Sequence, residues 1–362
     1  MNLRSDLYAV IMAGGSGTRF WPLSRRRTPK QFLPITTERT MIEETYRRIQ
    51  PLVPTRRIFT IANAAQSRTI HRLLPKMPAA NVLVEPRARN TAPSLILATA
   101  HVYRRNPEAV VAVLASDHLI TNEPLFLKKL EAAAKAAERT EGLVTFGVIP
   151  TFPSTGYGYI HFAKGGARRF GGEPFYKALG FREKPTLEKA EEFLKSGEYV
   201  WNSGMFLWRA SVFARALEKY SPEVFPFWGR TLGALEKRSR KSLTAIFDDI
   251  PALSIDYALM EKAEGTMVCA GDFGWSDVGA WSALGDMWPR DERANARRGE
   301  VVAVDARGNI VHNPGKLTAL LGVEDLVVVE TKDVLLVCRK DRDQDVKKIL
   351  EILAKNGKPK YL

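Results

Sequence analysis

Residues 14–34 read GGSGTRFWPLSRRRTPKQFLP and follow directly on the apolar run Tyr8-Ala9-Val10-Ile11-Met12. That layout suits a triphosphate. Gly14, Gly15 and Gly17 at the end of a buried strand let backbone N–H groups approach an anion with no Cβ in the way, and Thr18, Arg19 and Lys30 follow, the last two as mobile cations. The two better-known phosphate loops do not fit. A Walker loop ends in Gly-Lys-Ser/Thr, whereas Gly17 is followed by Thr18-Arg19, and the dinucleotide fingerprint needs a third glycine where this chain has Phe20. Glycines after a strand can also be a plain turn, so the cationic spacing carries the reading.

Taken with Pro29-Lys30-Gln31-Phe32-Leu33, the segment Gly14-Gly15-Ser16-Gly17-Thr18-Arg19 resembles the signature of the sugar-phosphate nucleotidyltransferases, in their mannose-1-phosphate guanylyltransferase branch. Further segments resemble that branch's motifs in the same order. They are Glu85-Pro86-Arg87-Ala88-Arg89-Asn90-Thr91-Ala92-Pro93, Ser116-Asp117-His118, Thr155-Gly156-Tyr157-Gly158-Tyr159-Ile160, Glu183-Lys184-Pro185, Trp201-Asn202-Ser203-Gly204-Met205-Phe206, Ser254-Ile255-Asp256-Tyr257 and Trp275-Ser276-Asp277-Val278-Gly279. One departure is Arg182, where the family usually has a small apolar residue; Glu183 and Lys184 stay in place.

The resemblance implies transfer of GMP from GTP to mannose 1-phosphate, with Mg²⁺ as cofactor. Mg²⁺ takes one or two carboxylates plus phosphates and water, and Asp117 and Asp277 are the metal pair so implied. On residue chemistry alone, an aspartate after a strand serves equally as a cap or turn former, and Asp272 rivals Asp277. By the same resemblance Arg19 lies over the β,γ-phosphates and Lys30 near the α-phosphate, while Glu85, Arg89 and Asn90 lie beside the nucleotide. Guanine offers N1–H and N2–H₂ donors that Glu85 can accept; an ordinary Glu-Pro turn is the other reading of that residue. For the sugar phosphate, Gly158 allows close approach, and Glu183, Lys184 and Asn202 bind. Trp201 and Trp208 read as core. His118 invites a general-base role, but an attacking phosphate is already anionic near neutral pH. The alternatives are another nucleotide or hexose 1-phosphate, and a non-catalytic regulatory relative, against which intact Arg19, Lys30, Asp117 and Asp277 count. A glycosyltransferase would want an Asp-x-Asp motif, which Ser116-Asp117-His118-Leu119 does not supply.

These residues must be held by a sheet. Apolar runs at 8–12, 58–62, 82–84, 110–115 and 143–148 alternate with helical patterns at 41–49, 92–103 and 125–138. Such punctuation predicts a parallel sheet with helices on both faces, binding its ligand at the carboxyl ends of its strands. From about 150 to 285 the pattern is mixed, with a strand around 205–208 and helices near 187–195 and 212–219. The fold class is therefore α/β, and the resemblance implies a Rossmann-like nucleotidyltransferase (GT-A-like) mixed sheet with helices on both faces over residues 1–288. A small β domain at 289–362 is expected to be left-handed β-helix-like by the resemblance, with strands at 301–304, 318–321, 326–329 and 334–337 and a closing helix.

With 362 residues, 45% of them hydrophobic, there is ample core for such a chain. Cys269 and Cys338 show no metal or disulfide spacing, and no two of the five histidines are spaced as metal ligands. The opening MNLRSDLYAV is expected to lead straight into a strand with no signal peptide, and no apolar run nears the roughly 18 residues of a membrane span, so a cytoplasmic, membrane-free protein is expected. The net charge of +14 is spread along the chain with no nucleic-acid motif, which argues against a nucleic-acid partner and for a general attraction of polyanionic substrates. A homodimer or monomer–dimer equilibrium is expected.

Overall fold

The structure is a computed structural model, and the residues described are 6–15 and 17–362; residues 1–5, at the head of the expected first strand, and Ser16 of the glycine loop lie outside them. Two compact units form, neither continuous in sequence. The first comprises residues up to Gly14, Thr45–Ser116 and Ile120–Trp275; the second comprises Gly15–Glu44, Asp117–Leu119 and Ser276–Leu362.

In the first unit, β1 (Leu7–Met12), β2 (Ile58–Asn63), β3 (Val82–Glu85) and β4 (Val110–Ala115) run parallel in the spatial order β3-β2-β1-β4. Ala9, Val10 and Ile11 of β1 and Val111, Ala112 and Val113 of β4 are fully buried, as strands covered on both faces must be. The register pairs Met12 with Ala115, so both strands end together, and the Ser116 N–H closes onto the Met12 carbonyl at 3.1 Å. The glycine loop and the Asp117 loop therefore leave the sheet from adjacent carboxyl ends, the position at which open α/β sheets bind ligands.

The remaining strands make the sheet mixed, as expected for the whole of residues 1–288. Val144–Val148 does not lie beside β4. Tyr199–Arg209 comes between them and runs antiparallel to both. Val200, Trp201, Met205, Phe206, Leu207 and Trp208 are all buried, so this strand is apolar on both faces and claims the central place. Met267–Gly271 then pairs in parallel with Val144–Val148, and Glu173–Arg182 and Tyr159–Phe162 complete a mixed sheet.

In the second unit, the segment Gly15–Glu44 has only short 3₁₀ turns at Thr18–Phe20 and Lys30–Phe32. It is held by side chains. Phe20, Trp21, Leu33 and Ile35 share a core with Trp281, Trp288, Ile310, Val327 and Leu336. Backbone carbonyls without a ladder partner are satisfied from indoles and a guanidinium: Trp281 Nε1 donates to Trp21 O at 3.2 Å, Trp288 Nε1 to Ile35 O at 3.1 Å, and Arg298 Nη1 to Pro34 O at 2.6 Å. Division of the chain at 288/289 does not foresee this sharing, because composition along a sequence carries no trace of contacts between distant segments.

The C-terminal sheet of this unit is formed by Ala296–Val304, Ile310–Leu321, Leu326–Glu330 and Leu335–Arg339, the first three parallel and the last antiparallel. Its parallel strands are joined by tight corners with positive φ at Asp305, Gly308, Gly322 and Asp325, with no crossover helix. Buried Asn295 and Asn309 stack at successive corners, Asn309 Nδ2 donating to Asn295 Oδ1 at 2.8 Å, which gives the coil of a β-helix its polar rungs.

Candidate active site

A cavity of about 290 Å³ in the second unit is lined by Gly17, Thr18, Arg19, Lys30, Asp117 and Asp277, together with His118. Gly17 has φ 56°, and a Cβ there would stand 2.4 Å from Lys30 Cβ, so only glycine lets the two halves of the loop close on each other. Lys30 is almost wholly buried beside Phe20. Its Nζ donates to Asp117 Oδ2 at 3.0 Å and to the Asp277 carbonyl at 2.5 Å. Burial works against ionisation of Asp117, but the charges of Lys30 and His118 prevail and hold its carboxyl below the usual carboxylate range.

Asp277 is brought into the cavity by a strained turn. The next residue, buried Val278, has φ 45°, uncommon for a β-branched residue, and its N–H donates to Ser276 Oγ at 3.0 Å. The Asp277 carboxylate lies over Gly279, where a Cβ would come within 2.7 Å of Oδ2. Its rival Asp272 is occupied in turning the loop, accepting the Gly274 N–H at 2.9 Å. Arg19 is exposed and has no ion-pair partner among the described residues.

Two hard carboxylates in one cavity fit Mg²⁺, which takes one or two of them and completes its shell with phosphate and water. Among the described residues no group of three or more His, Cys, Asp or Glu is placed to hold a metal, so the donor set does not suit a structural zinc.

Gly15 belongs to the second unit but does not line the cavity, and the other predicted residues belong to the first unit. Gly14 ends the β1 loop with its absent Cβ 3.8 Å from Glu85 Oε2, and Ser94 Oγ donates to Glu85 Oε1. Burial pushes the Glu85 carboxyl up, and the Ser94 hydrogen bond opposes that. Asn90 caps the helix Thr91–Tyr103, its Oδ1 accepting the Thr91 N–H at 2.8 Å. Arg89 donates through Nε to Phe247 O and through Nη2 to Asp248 O, both at 2.7 Å, at the end of the helix Arg240–Asp249.

Gly158, Glu183 and Asn202 adjoin one another: a Cβ on Gly158 would lie 2.7 Å from Glu183 Oε2 and 3.5 Å from Asn202 Cβ. Lys184, with φ 42°, places Nζ 3.0 Å from Glu183 Oε1. Sequence reasoning missed one member of this cluster, Asp256, whose Oδ1 accepts Asn202 Nδ2 at 2.8 Å. Its motif, Ser254-Ile255-Asp256-Tyr257, was the available signal. Burial raises the Asp256 carboxyl; the Asn202 bond opposes this and the Glu183 charge adds to it. Trp201 and Trp208 are buried, as expected of core residues.

The nucleotidyl transferase family model matches residues 8–293, and the mannose-phosphate isomerase/GMP-like β-helix domain matches residues 299–353. The chain is 37% identical over 370 residues to mannose-1-phosphate guanylyltransferase 2 of Escherichia coli O157:H7, covering 99% of this chain and 76% of that protein. It is 39% identical over 363 residues to the mannose-1-phosphate guanylyltransferase of Klebsiella pneumoniae, covering 98% of this chain and 75% of that one. A crystal structure described as the mannose-1-phosphate geranyltransferase of Thermus thermophilus superposes with a TM-score of 0.86 at 34% identity, covering 96% of this chain and 99% of that one. With family match, relatives and fold in agreement, the chain belongs to the mannose-1-phosphate guanylyltransferase family of nucleotidyl transferases.

Proposed function

We propose that this chain transfers GMP from GTP to mannose 1-phosphate, giving GDP-mannose and pyrophosphate, by Mg²⁺-dependent in-line attack on the α-phosphorus. The observation that carries the reading is the convergence of Lys30, Asp117 and Asp277 in one cavity beside the Gly17 turn. Joining two polyanions requires their charge to be neutralised and their reacting atoms aligned, and little else. Both curated relatives named above carry this activity in their names.

Asp117 and Asp277 would hold Mg²⁺, which when bound would supply charge neutralisation at the reacting phosphates. Lys30 stabilises charge developing at the α-phosphate, and Arg19 stabilises the departing pyrophosphate. The sugar phosphate's anionic oxygen forms the new P–O bond as the bond from the α-phosphorus to the β-bridging oxygen breaks, its electron pair leaving with pyrophosphate. No proton moves to a base, so His118 has no general-base role. Glu85 accepts from the guanine edge, with Arg89 and Asn90 beside the nucleotide. Gly158, Glu183, Lys184 and Asn202 receive the sugar phosphate.

On this reading residues 1–288 form the catalytic domain and residues 289–362 the β domain, and the enzyme acts in the cytoplasm as a homodimer or in monomer–dimer equilibrium, without nucleic-acid or membrane partners. No helix among the described residues is long and apolar enough to cross a membrane. The test is pyrophosphate release with Mg²⁺ and mannose 1-phosphate, run in parallel with GTP, ATP, UTP and dTTP, with Asp117→Asn as blank. Release with GTP alone, absent from the variant, is expected; release that prefers another nucleotide overturns the guanine assignment.

A further inference from the structure

Asp256 opens a single π-helical turn, Asp256–Met260, of which Ala258, Leu259 and Met260 are fully buried. The turn is clamped at both ends. The Ile255 N–H donates to Thr91 Oγ1 at 2.8 Å, and the Glu261 N–H donates to the Asp256 carbonyl at 2.9 Å. Such turns insert one extra residue into a helix and recur where a side chain must be aimed. The aspartate that results has little freedom to leave its place.

Its partner is constrained as tightly. The Asn202 N–H donates to the Gly158 carbonyl at 2.8 Å, and Asn202 stands at the register shift of its strand against Val144–Val148. An isolated amide side chain can present either end to a neighbour. Here Oδ1 accepts the Gly204 N–H at 3.1 Å while Nδ2 faces the Asp256 carboxyl, and only one orientation satisfies both. The amide nitrogen carries a second N–H, which has no partner among the described residues. With Glu183 adjoining through Gly158, an acceptor and a donor stand side by side, the pattern that reads neighbouring hydroxyls of a hexose.

We propose that Asp256 is a positioning residue of the hexose 1-phosphate site: it fixes the Asn202 amide so that its remaining N–H is offered to a sugar hydroxyl. This rests on the assignment of Gly158, Glu183 and Asn202 to the sugar phosphate.

The test compares KM for the hexose 1-phosphate, KM for GTP and thermal midpoint in three variants. Asp256→Ala releases the amide, and the sugar-phosphate KM rises about tenfold or more while KM for GTP stays within about twofold. Asp256→Asn keeps a carbonyl acceptor and returns the sugar KM to within about threefold of the parent. The exchange Asn202→Asp with Asp256→Asn remakes the bond in the opposite sense. Its thermal midpoint recovers, but its sugar KM stays high because position 202 no longer carries a side-chain N–H. An unchanged sugar KM in Asp256→Ala, or both KM values rising together, overturns the proposal. Should Asp256→Ala fail to fold, a parental sugar KM in the exchange variant does so instead. If the parent accepts a different hexose 1-phosphate, the comparison is made on that sugar and only the mannose assignment falls; if it accepts none, the sugar-site assignment and this proposal fall together.

Discussion

Lys30 Nζ lies 3.0 Å from Asp117 Oδ2 and 2.5 Å from the Asp277 carbonyl, so one buried ammonium ties together the two segments that bring carboxylates into the cavity. The Asp117 side chain keeps 33% of its surface exposed, against 5% for Lys30. That asymmetry separates stability from catalysis. In Lys30→Met the aspartate left behind can be hydrated, so the penalty falls below the roughly 3–5 kcal/mol of a fully buried broken pair. Removal of a preorganised charge from the reacting phosphate nevertheless lowers kcat by about 10²–10³-fold. Steady-state kinetics with a thermal melt on the same sample checks both; a large fall in melting temperature with kcat preserved would contradict the assignment.

Glu85 sits at the end of β3 with one oxygen engaged by Ser94 and the other facing the Cβ-free side of Gly14. Glu85→Gln keeps the shape and one acceptor but removes the charge and turns one acceptor into a donor, which on the proposed assignment would oppose the guanine N–H groups. Selectivity for GTP over ATP, measured as a ratio of kcat/KM values, should fall by about 10²-fold, since a site built for hydrogen bonds discriminates through groups left unpaired. Equal losses with both nucleotides would mean that Glu85 does not read the base.

Much of this was legible because local chemistry and global position coincide. The strands β1 and β4 are apolar runs, and their loops begin where those runs stop, so the positions of Gly14 and Asp117 at carboxyl ends followed from pattern alone. The place of Tyr199–Arg209 did not, because its burial on both faces is also compatible with a parallel order. Asp256 was visible in a motif yet had no assigned task, since its meaning lies in a hydrogen bond to a residue 54 positions away.

The segment that carries Arg19 and Lys30 depends on residues far along the chain. Trp281 is fully buried, packs its ring 5.1 Å from that of Phe20, and donates to the Trp21 carbonyl. Trp281→Ala should cost about 3–5 kcal/mol through the cavity it leaves, and the collapse acts on the turn that carries Arg19. Trp281→Phe fills most of that cavity but leaves the Trp21 carbonyl unpaired, at about 1–3 kcal/mol. Denaturant melts order the two variants. KM for GTP should rise in both, and a variant that loses stability with KM for GTP unchanged would show that the loop keeps its shape without the tryptophan.

His101 sets an acid limit that is independent of the reaction. On the helix Thr91–Tyr103, burial and then the charges of Arg105 and Arg104 depress its imidazole from 6.5 to about 4. The folded protein therefore holds the neutral ring while the unfolded chain takes up a proton below about 6.5, so this contribution to stability is complete above that pH and declines as pH falls toward 4. The full span is on the order of 3 kcal/mol, of which about 2 kcal/mol is gone by pH 5. His101→Gln removes the titration, so its stability should fall less than the parent's between pH 7 and pH 5. Urea melts of both proteins at the two pH values decide it: equal losses would place the acid sensitivity elsewhere.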